Sequence, residues 1–140
     1  MEEQIAIRTV TRLVIPFIQI FSLYVLAHGE IGPGGGFQGG VIFAASIILY
    51  SLVFGSDAAR KRISVKTSMA LSSVGVMIYA AIGVLCIFAG GSYLEYGVLP
   101  LGGAKTSTSL GMYGIEAGVW ITVAVSMILI FFEMISENDD

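Results

Sequence analysis

HGEIGPGGGFQGG, at residues 28–40, separates two strongly apolar segments of this chain. It contains a histidine, a carboxylate and a run of helix-breaking residues. In an aqueous domain it would be an ordinary loop. Its flanks, however, have the composition of membrane helices, and irregular backbone at membrane depth is tolerated only where protein or a water-filled cavity surrounds it. The stretch therefore predicts a turn at the edge of a bilayer or inside it, and it is the first place to look for function or for a subunit contact.

The composition indicates an integral membrane protein. Of the 140 residues, 56% are hydrophobic and only 12% are charged, whereas an average soluble domain has about 25% charged residues. A chain of this length cannot bury so much apolar surface in a soluble core. The single cysteine, Cys86, lies in an apolar run, so we expect no disulfide framework, no clustered metal site and no cofactor.

Four apolar segments are long enough to cross a bilayer, whose hydrocarbon core of ~30 Å needs about 20 mostly apolar residues per helix. We therefore predict an all-α integral membrane protein with four transmembrane helices, in a single domain that covers residues 1–140. The predicted spans are approximately residues 10–27, 37–54, 67–88 and 110–134. In the first span, Pro16 removes an intrahelical hydrogen bond, and the Gln19 amide needs a partner on another helix.

The basic residues predict the orientation. Arg8 and Arg12 lie at the start of the first span, and a cluster of four basic residues fills the loop between the second and third spans. Because cytoplasmic loops carry an excess of basic residues, both regions are expected on the cytoplasmic side, with both termini cytoplasmic and the tail at 137–140 solvated. The outer connections at 28–36 and 89–109 contain only one base. The loop cluster is Arg60, Lys61, Arg62 and Lys66, and the outer base is Lys105.

Glu116 is the clearest candidate for an ion path, because it lies about one and a half turns into the fourth span. A charge at the centre of a membrane helix costs at least ~2.5–3.5 kcal/mol on insertion scales, so such residues usually face a protein interior. Alternatively, the span starts later and Glu116 lies at the outer headgroup level. Residues 117–132 provide only sixteen positions, which is short of a full span and favours a buried carboxylate.

The fourth span has two different faces. Gly114, Gly118, Thr122 and Ser126 recur every four residues and form one smooth stripe, and small residues at this spacing let helix backbones approach closely. At 100° per residue, Glu116 projects roughly 160–200° away from that stripe. This pattern predicts a helix that is surrounded by protein.

The glycines of the first loop predict a glycine-rich re-entrant turn between the first two helices. A phosphate cradle is unsupported, since no Lys-Ser/Thr pair follows. Pro33 restricts the residue before it, and the glycines accept positive φ. Gln38 lies within the predicted packing edge and can bond exposed backbone. The close-packing pairs are Gly35 with Gly39 and Gly36 with Gly40, preceded by Gly32 and Gly34.

Two roles are equally consistent with the position of His28. A histidine at this position can titrate near neutral pH and take part in an ion path. A lone histidine at a helix C-terminus can equally be a cap.

The chain lacks the features of an enzyme: a nucleophile–base pair, a metal-ligand cluster or a nucleotide loop. Four short helices with one intramembrane acid are also too little for a whole alternating-access transporter. A self-sufficient homo-oligomeric transporter would typically carry a carboxylate in the first helix, which here offers only Gln19. The chain is therefore expected to be one subunit of a larger assembly.

LAHGEIGPGGGFQGGVIFAASIILY (residues 26–50) resembles the signature of the MnhB/MrpB family, the small B subunit of multisubunit sodium/proton antiporters. The family pattern is approximately G-H-x-x-P-G-G-G-F-x-G-G. The departures are Ala27, where a glycine is usual, and one extra residue within 29–32. LPLGGAKTSTSLGMYGIEAGVWITV (99–123) is similar to the family's last helix, where Glu116 stands at a position that is usually aspartate. The matching motif residues are His28, Pro33, Gly34, Gly35, Gly36, Phe37, Gly39 and Gly40.

The resemblance implies a subunit of a sodium/proton antiporter complex in the prokaryotic plasma membrane. Its expected partners are other membrane subunits in a hetero-oligomer, the lipid bilayer, sodium ions and protons, with no nucleic acid. Within that complex the chain contributes to ion translocation and assembly. Two alternatives stay open: a B-like subunit of a ferredoxin-linked membrane-bound hydrogenase or sulfur-reductase pump, and a purely structural assembly subunit.

Overall fold

A computed structural model describes residues 1–136, in which helices joined by turns and loops account for the secondary structure and no strand is present. Residues 137–140 lie outside the described part, so the expectation that this tail is solvated stays a prediction. The helices are α1 (Glu2–Ala27), α2 (Gly36–Phe54), α3 (Ser56–Arg62), α4 (Val65–Phe88) and α5 (Ala104–Ser136), and a short 3₁₀ turn covers Tyr96–Val98.

α1, α2, α4 and α5 are each long and apolar enough to cross a membrane. This confirms the predicted class, an all-α membrane protein with four spans. The helices extend beyond the predicted spans: α1 begins at Glu2 and α5 at Ala104. Hydropathy marks only the apolar part of a helix, whereas backbone hydrogen bonding continues through polar residues. For the same reason the short helix α3, in the basic loop, was not predicted.

α5 lies between α2 and α4, and α1 packs on α2. Few side chains are buried in the described chain, and many large apolar side chains point outward; Phe17 is 72% exposed. This distribution suits a lipid environment, in which apolar side chains gain nothing by turning inward and helices associate through close packing. The small buried core lies at the C-terminal end of α5, where Ala44 and Ala59 surround Ile128 and Phe132.

The contact between α4 and α5 depends on glycines. A Cβ built on Gly118 would lie 2.8 Å from the carbonyl oxygen of Gly75, and a Cβ built on Gly75 would lie 2.6 Å from the carbonyl oxygen of Gly118. A Cβ built on Gly114 would lie 2.6 Å from the Cδ1 atom of Ile82. The stripe of small residues on α5 therefore faces α4, and the two backbones approach as closely as that spacing allows.

The arginines at the start of the first span and those of α3 lie at one end of the bundle. The guanidinium groups of Arg8 and Arg12 lie 6.0 and 5.2 Å from the ring centre of Phe54. Arg60 donates a 2.7 Å hydrogen bond from Nη2 to the carbonyl oxygen of Phe132, near the end of α5. The two basic regions are thus on the same side of the structure, as a common cytoplasmic location requires.

Gln19 finds the partner that its position demands. Its Nε2 atom donates a 3.3 Å hydrogen bond to the Ser46 hydroxyl on α2, and that hydroxyl donates to the carbonyl oxygen of Phe43 at 2.7 Å. Pro16 lies inside α1, which continues through it. Cys86 is a buried free thiol on α4.

Candidate functional site

The glycine-rich loop and Glu116, which are distant in sequence, meet at the N-terminal end of α2. A Cβ built on Gly29 would overlap the Glu116 carboxylate, and one built on Gly35 would lie 3.5 Å from its Oε1 atom. A Cβ built on Gly36 would overlap the backbone carbonyl of Glu116. The acid therefore rests against the turn itself, and only glycines leave room for it there.

The turn is shaped by backbone hydrogen bonds to the end of α1. The Gly35 amide donates to the carbonyl oxygen of Val25 at 3.1 Å, and the Gly32 amide donates to the carbonyl oxygen of His28 at 3.1 Å. Gly35 is the N-cap of α2 and has a φ of 125°, a conformation that residues with a side chain rarely adopt. Re-entry of this turn into the membrane stays a prediction, as does the cytoplasmic location of both termini.

α2 continues the close contact along α5 with its next two glycines. A Cβ built on Gly39 would lie 2.9 Å from both the Ser22 carbonyl oxygen and Cδ1 of Trp120. A Cβ built on Gly40 would lie 2.8 Å from the Trp120 carbonyl oxygen. Gly35, Gly36, Gly39 and Gly40 are all buried. These four glycines form the face of α2 that meets α1 and α5.

A polar chain ties α1, α2 and α5 together one turn below Glu116. The Trp120 Nε1 atom donates a 2.9 Å hydrogen bond to the Ser22 hydroxyl, which in turn donates to the Gly39 carbonyl oxygen at 2.7 Å. Ser22 is fully buried. Neither side chain was predicted from the sequence as a site residue, although the one tryptophan of the chain, in the middle of a span, was a usable signal.

Glu116 is partly buried, and its Oε2 atom is fully buried without a hydrogen-bond partner within residues 1–136. A buried acceptor that lacks a donor costs free energy, more so when it is charged. A proton, a cation, a water molecule or a hydrogen-bond donor from a neighbouring chain would satisfy this oxygen. The arrangement can therefore accept a positive charge at this oxygen.

A second carboxylate belongs to the same region. The hydroxyl of Ser109, on the first turns of α5, donates a hydrogen bond to Oε1 of Glu30, which places this acid beside α5 about two helical turns from Glu116. Both carboxylates are negative when ionised, so together they favour a cation or a shared proton. Glu30 was not predicted from the sequence as a site residue; it lies in the part of the loop that is longer than the family pattern.

His28 is the C-cap residue of α1, and its side chain contacts Tyr24 of the same helix. Its Nε2 atom lies 3.4 Å from the Tyr24 hydroxyl, and the two rings are 4.6 Å apart between centroids. Among residues 1–136 its side-chain hydrogen bond and ring contact are with Tyr24. The structure therefore does not bring the His28 ring into contact with the Glu116 carboxylate.

The remaining motif residues lie on the outer surface. Pro33, Phe37 and Gln38 are exposed, and they line a shallow groove with Phe21 and Val25 of α1. The prediction that Gln38 lies within the packing edge is wrong. Gln38 lies between Gly36 and Gly39 in sequence. At 100° per residue, however, its side chain projects away from the helix face that the glycines share.

The stripe of small residues and Glu116 occupy opposite faces of α5. Gly114 and Gly118 face α4, whereas Glu116 faces the loop and α2. α5 is thus enclosed on both sides, and the acid is directed toward the glycine turn. Within residues 1–136, no group of three or more His, Cys, Asp or Glu side chains is placed to hold a metal ion.

Comparison with known proteins points to one family. Residues 6–132 match the family described as "Domain related to MnhB subunit of Na+/H+ antiporter". A protein of Staphylococcus haemolyticus (strain JCSC1435), named "Putative antiporter subunit mnhB2", is 31% identical over 137 residues, which is 95% of each chain. A protein of the same name from Staphylococcus aureus (strain Newman) is 31% identical over 135 residues, 90% of this chain and 95% of that protein.

Proposed function

The chain belongs to the family of domains related to the MnhB subunit of Na⁺/H⁺ antiporters, and from this membership we propose that it is a small membrane subunit of a multisubunit Na⁺/H⁺ antiporter. It is a multi-pass protein of the cell membrane, with other membrane subunits of the complex as its partners. The antiporter names of the relatives do not favour the alternative of a ferredoxin-linked hydrogenase or sulfur-reductase complex. The proposal makes the chain a transport component and not an enzyme.

We further propose that Glu116 contributes to the path of the transported cation or proton. The observation that carries this proposal is the buried Oε2 atom, which has no partner among residues 1–136 and faces the glycine turn. Glu30 supports it, because a second negative charge in the same region raises the local preference for a cation. His28, held against Tyr24, is the weaker candidate.

The depth of Glu116 fits a position in the outer part of the membrane. Sixteen residues of α5 separate it from Phe132, which lies beside Arg60 at the basic end. At 1.5 Å per residue this separation is about 24 Å, compared with a hydrocarbon core of ~30 Å. If the basic end is cytoplasmic, the carboxylate is still within the bilayer, close to its outer boundary.

The test replaces Glu116 with glutamine, which keeps the shape of the side chain and removes its charge. Na⁺/H⁺ exchange is measured in everted membrane vesicles that contain the whole complex. We expect exchange to fall about tenfold or more, because loss of a charge-assisted contact worth about 1.5–3 kcal/mol slows a rate by at least that factor. Glu133→Gln, an exposed acid on the same helix, is the matched control.

The outcomes distinguish the ion-path role from the structural alternative. Intact assembly with lost exchange in Glu116→Gln, and recovery in Glu116→Asp, supports a role in the ion path. Loss of the complex on a native gel supports a structural role for Glu116, in which its carboxylate holds a neighbouring chain. Unchanged exchange and unchanged assembly contradict both roles for Glu116.

The structural alternative rests on its own observation, the close approach of α2 to α5 at Gly36, Gly39 and Gly40. If the chain serves assembly through this helix packing and not through Glu116, a large side chain at Gly36 breaks the complex while polar changes at Glu116 have no effect. Gly36→Leu and Glu116→Gln, compared by co-purification of the partner subunits, separate the two functions.

A further inference from the structure

A cleft with a volume of about 340 Å³ runs between α2 and α4 over the surface of α5. It exists because both helices pack on α5 from different sides. Phe43 of α2 and Leu71 of α4 form its walls, while Trp120 and Ile128 are part of its floor. The volume is in the range of small-ligand sites, about 300–1,000 Å³, and the lining is almost entirely apolar.

One end of this cleft carries positive charge. Arg62 lines it there, with its guanidinium 4.7 Å from the ring centre of Tyr50. Within residues 1–136, Arg62 has no ion pair with a carboxylate. Lys66, also exposed, lies four residues further on, in the first turn of α4. The cleft thus joins an apolar channel to a solvated cation at the basic end of the bundle.

We propose that this cleft binds an anionic phospholipid, with one acyl chain against Trp120 and Leu71 and its phosphate at Arg62. The acyl chain matches the apolar lining, and the guanidinium matches a phosphate because its fixed fork can donate two parallel hydrogen bonds. Basic pockets between transmembrane helices on the cytoplasmic side bind anionic headgroups in this way. An apolar helix of a neighbouring subunit would fill the channel but would leave the arginine without a counter-charge.

The lipid site is independent of the ion path proposed above. Glu116 does not line the cleft, and the site depends only on the chain lying in a membrane with its basic end at a lipid headgroup region. Failure of the Glu116 proposal would therefore leave the lipid site untouched, and the reverse is also true.

Trp120 provides a direct readout, because it is the only tryptophan of the chain and lies in the cleft. The full-length chain is reconstituted into phosphatidylcholine vesicles, and a fixed mole fraction of the lipid is replaced by phospholipid with brominated acyl chains, which quench tryptophan fluorescence. Brominated phosphatidylglycerol is compared with brominated phosphatidylcholine. We expect an apparent preference of about fivefold for the anionic lipid, which corresponds to ~1 kcal/mol for one basic residue near the surface.

Two pairs of variants test the two parts of the site. Arg62→Gln should abolish the preference for the anionic lipid, whereas Lys61→Gln, an exposed neighbour outside the cleft, should retain it. Leu71→Phe should reduce quenching by both lipids because it fills the channel. Met69→Phe, exposed on the same helix but outside the cleft, should not. Circular dichroism of all four variants checks that the helices are intact.

Three results would overturn the proposal. Equal quenching by the two brominated lipids in the unmodified chain would show that the headgroup is not recognised. A preference that survives in Arg62→Gln with intact helices would show that the charge at the cleft end is not responsible. Weak quenching by both lipids would show that protein, such as a second copy of this chain, covers the cleft.

Discussion

Replacing Gly36 with alanine should loosen the contact between α2 and α5. Gly36 is buried at the first position of α2, and an added Cβ would overlap the carbonyl oxygen of Glu116. The same Cβ would lie 2.9 Å from the carbonyl carbon and 3.1 Å from the Cα atom of that residue. The obstacle is backbone, so a change of side-chain rotamer cannot relieve it.

The size of the effect follows from this geometry. Ordinary contact begins at 3.4 Å, so the two helices must separate by about 0.5 Å or more, and overpacking of this kind typically costs about 1–3 kcal/mol. Alanine gains up to about 1 kcal/mol over glycine in a helix interior, but Gly36 is at the helix end, where the gain is smaller. We expect a net loss of about 1–2 kcal/mol.

Gly32→Ala is the matched control, because no atom lies within 4 Å of a Cβ built there and the backbone is not in the left-handed region. Its expected effect is within about 0.5 kcal/mol, as for other open surface positions. Thermal unfolding of the purified complex, followed by co-purification of partner subunits, measures both variants. Equal melting temperatures for Gly36→Ala and Gly32→Ala would refute the close-packing argument.

Two further substitutions test contacts that hold the helices together. Ser22→Ala removes the hydroxyl that accepts from Trp120 and leaves a buried indole N–H without its partner, so the unfolding free energy should fall by about 1–3 kcal/mol; a melting curve indistinguishable from the unmodified chain would contradict this. Arg60→Gln removes the hydrogen bond to the carbonyl oxygen of Phe132 and should cost about 1.5–3 kcal/mol, whereas Lys61→Gln, exposed in the same helix, should change little in the same thermal assay.

The two ends of the bundle differ in the charged residues that they carry. Arg8, Arg12 and Arg60 gather at one end against aromatic rings. Glu116, against the glycine turn, and Glu30, bonded to Ser109, lie toward the other end. The orientation of the chain in the membrane stays a prediction that rests on the basic residues, since acidic residues contribute little to it.

Much of the architecture was predictable because it depends on properties of short stretches. The four apolar helices follow from composition and length, and the face of α5 that meets α4 follows from the four-residue spacing of Gly114 and Gly118. The hydrogen bond of the Gln19 amide to Ser46 on another helix was also expected, since an amide inside a span needs a partner. The extent of α1 and α5 beyond the apolar residues, and the helix α3, could not be read from hydropathy alone.

The candidate site was predictable only in its parts. The sequence indicated that Glu116 is an unusual residue and that the loop at 28–40 is special, but nothing local indicated that they touch. Gln38 shows the limit of local reasoning, because its place in the motif suggested a buried position and its angular position on α2 makes it exposed.

By itself the sequence determined the class of protein, the number of membrane helices, the basic loop and the family, all of which are encoded in composition, periodicity and a continuous motif. Only the tertiary structure decided that Glu116 rests on the glycine turn, that Glu30 bonds to Ser109 of α5, and that Ser22 and Trp120 connect three helices. The reason is physical: in a membrane, which helices pair depends on the fit of their surfaces along their whole length. That fit involves residues about 80 to 100 positions apart, and no single stretch of the chain contains it.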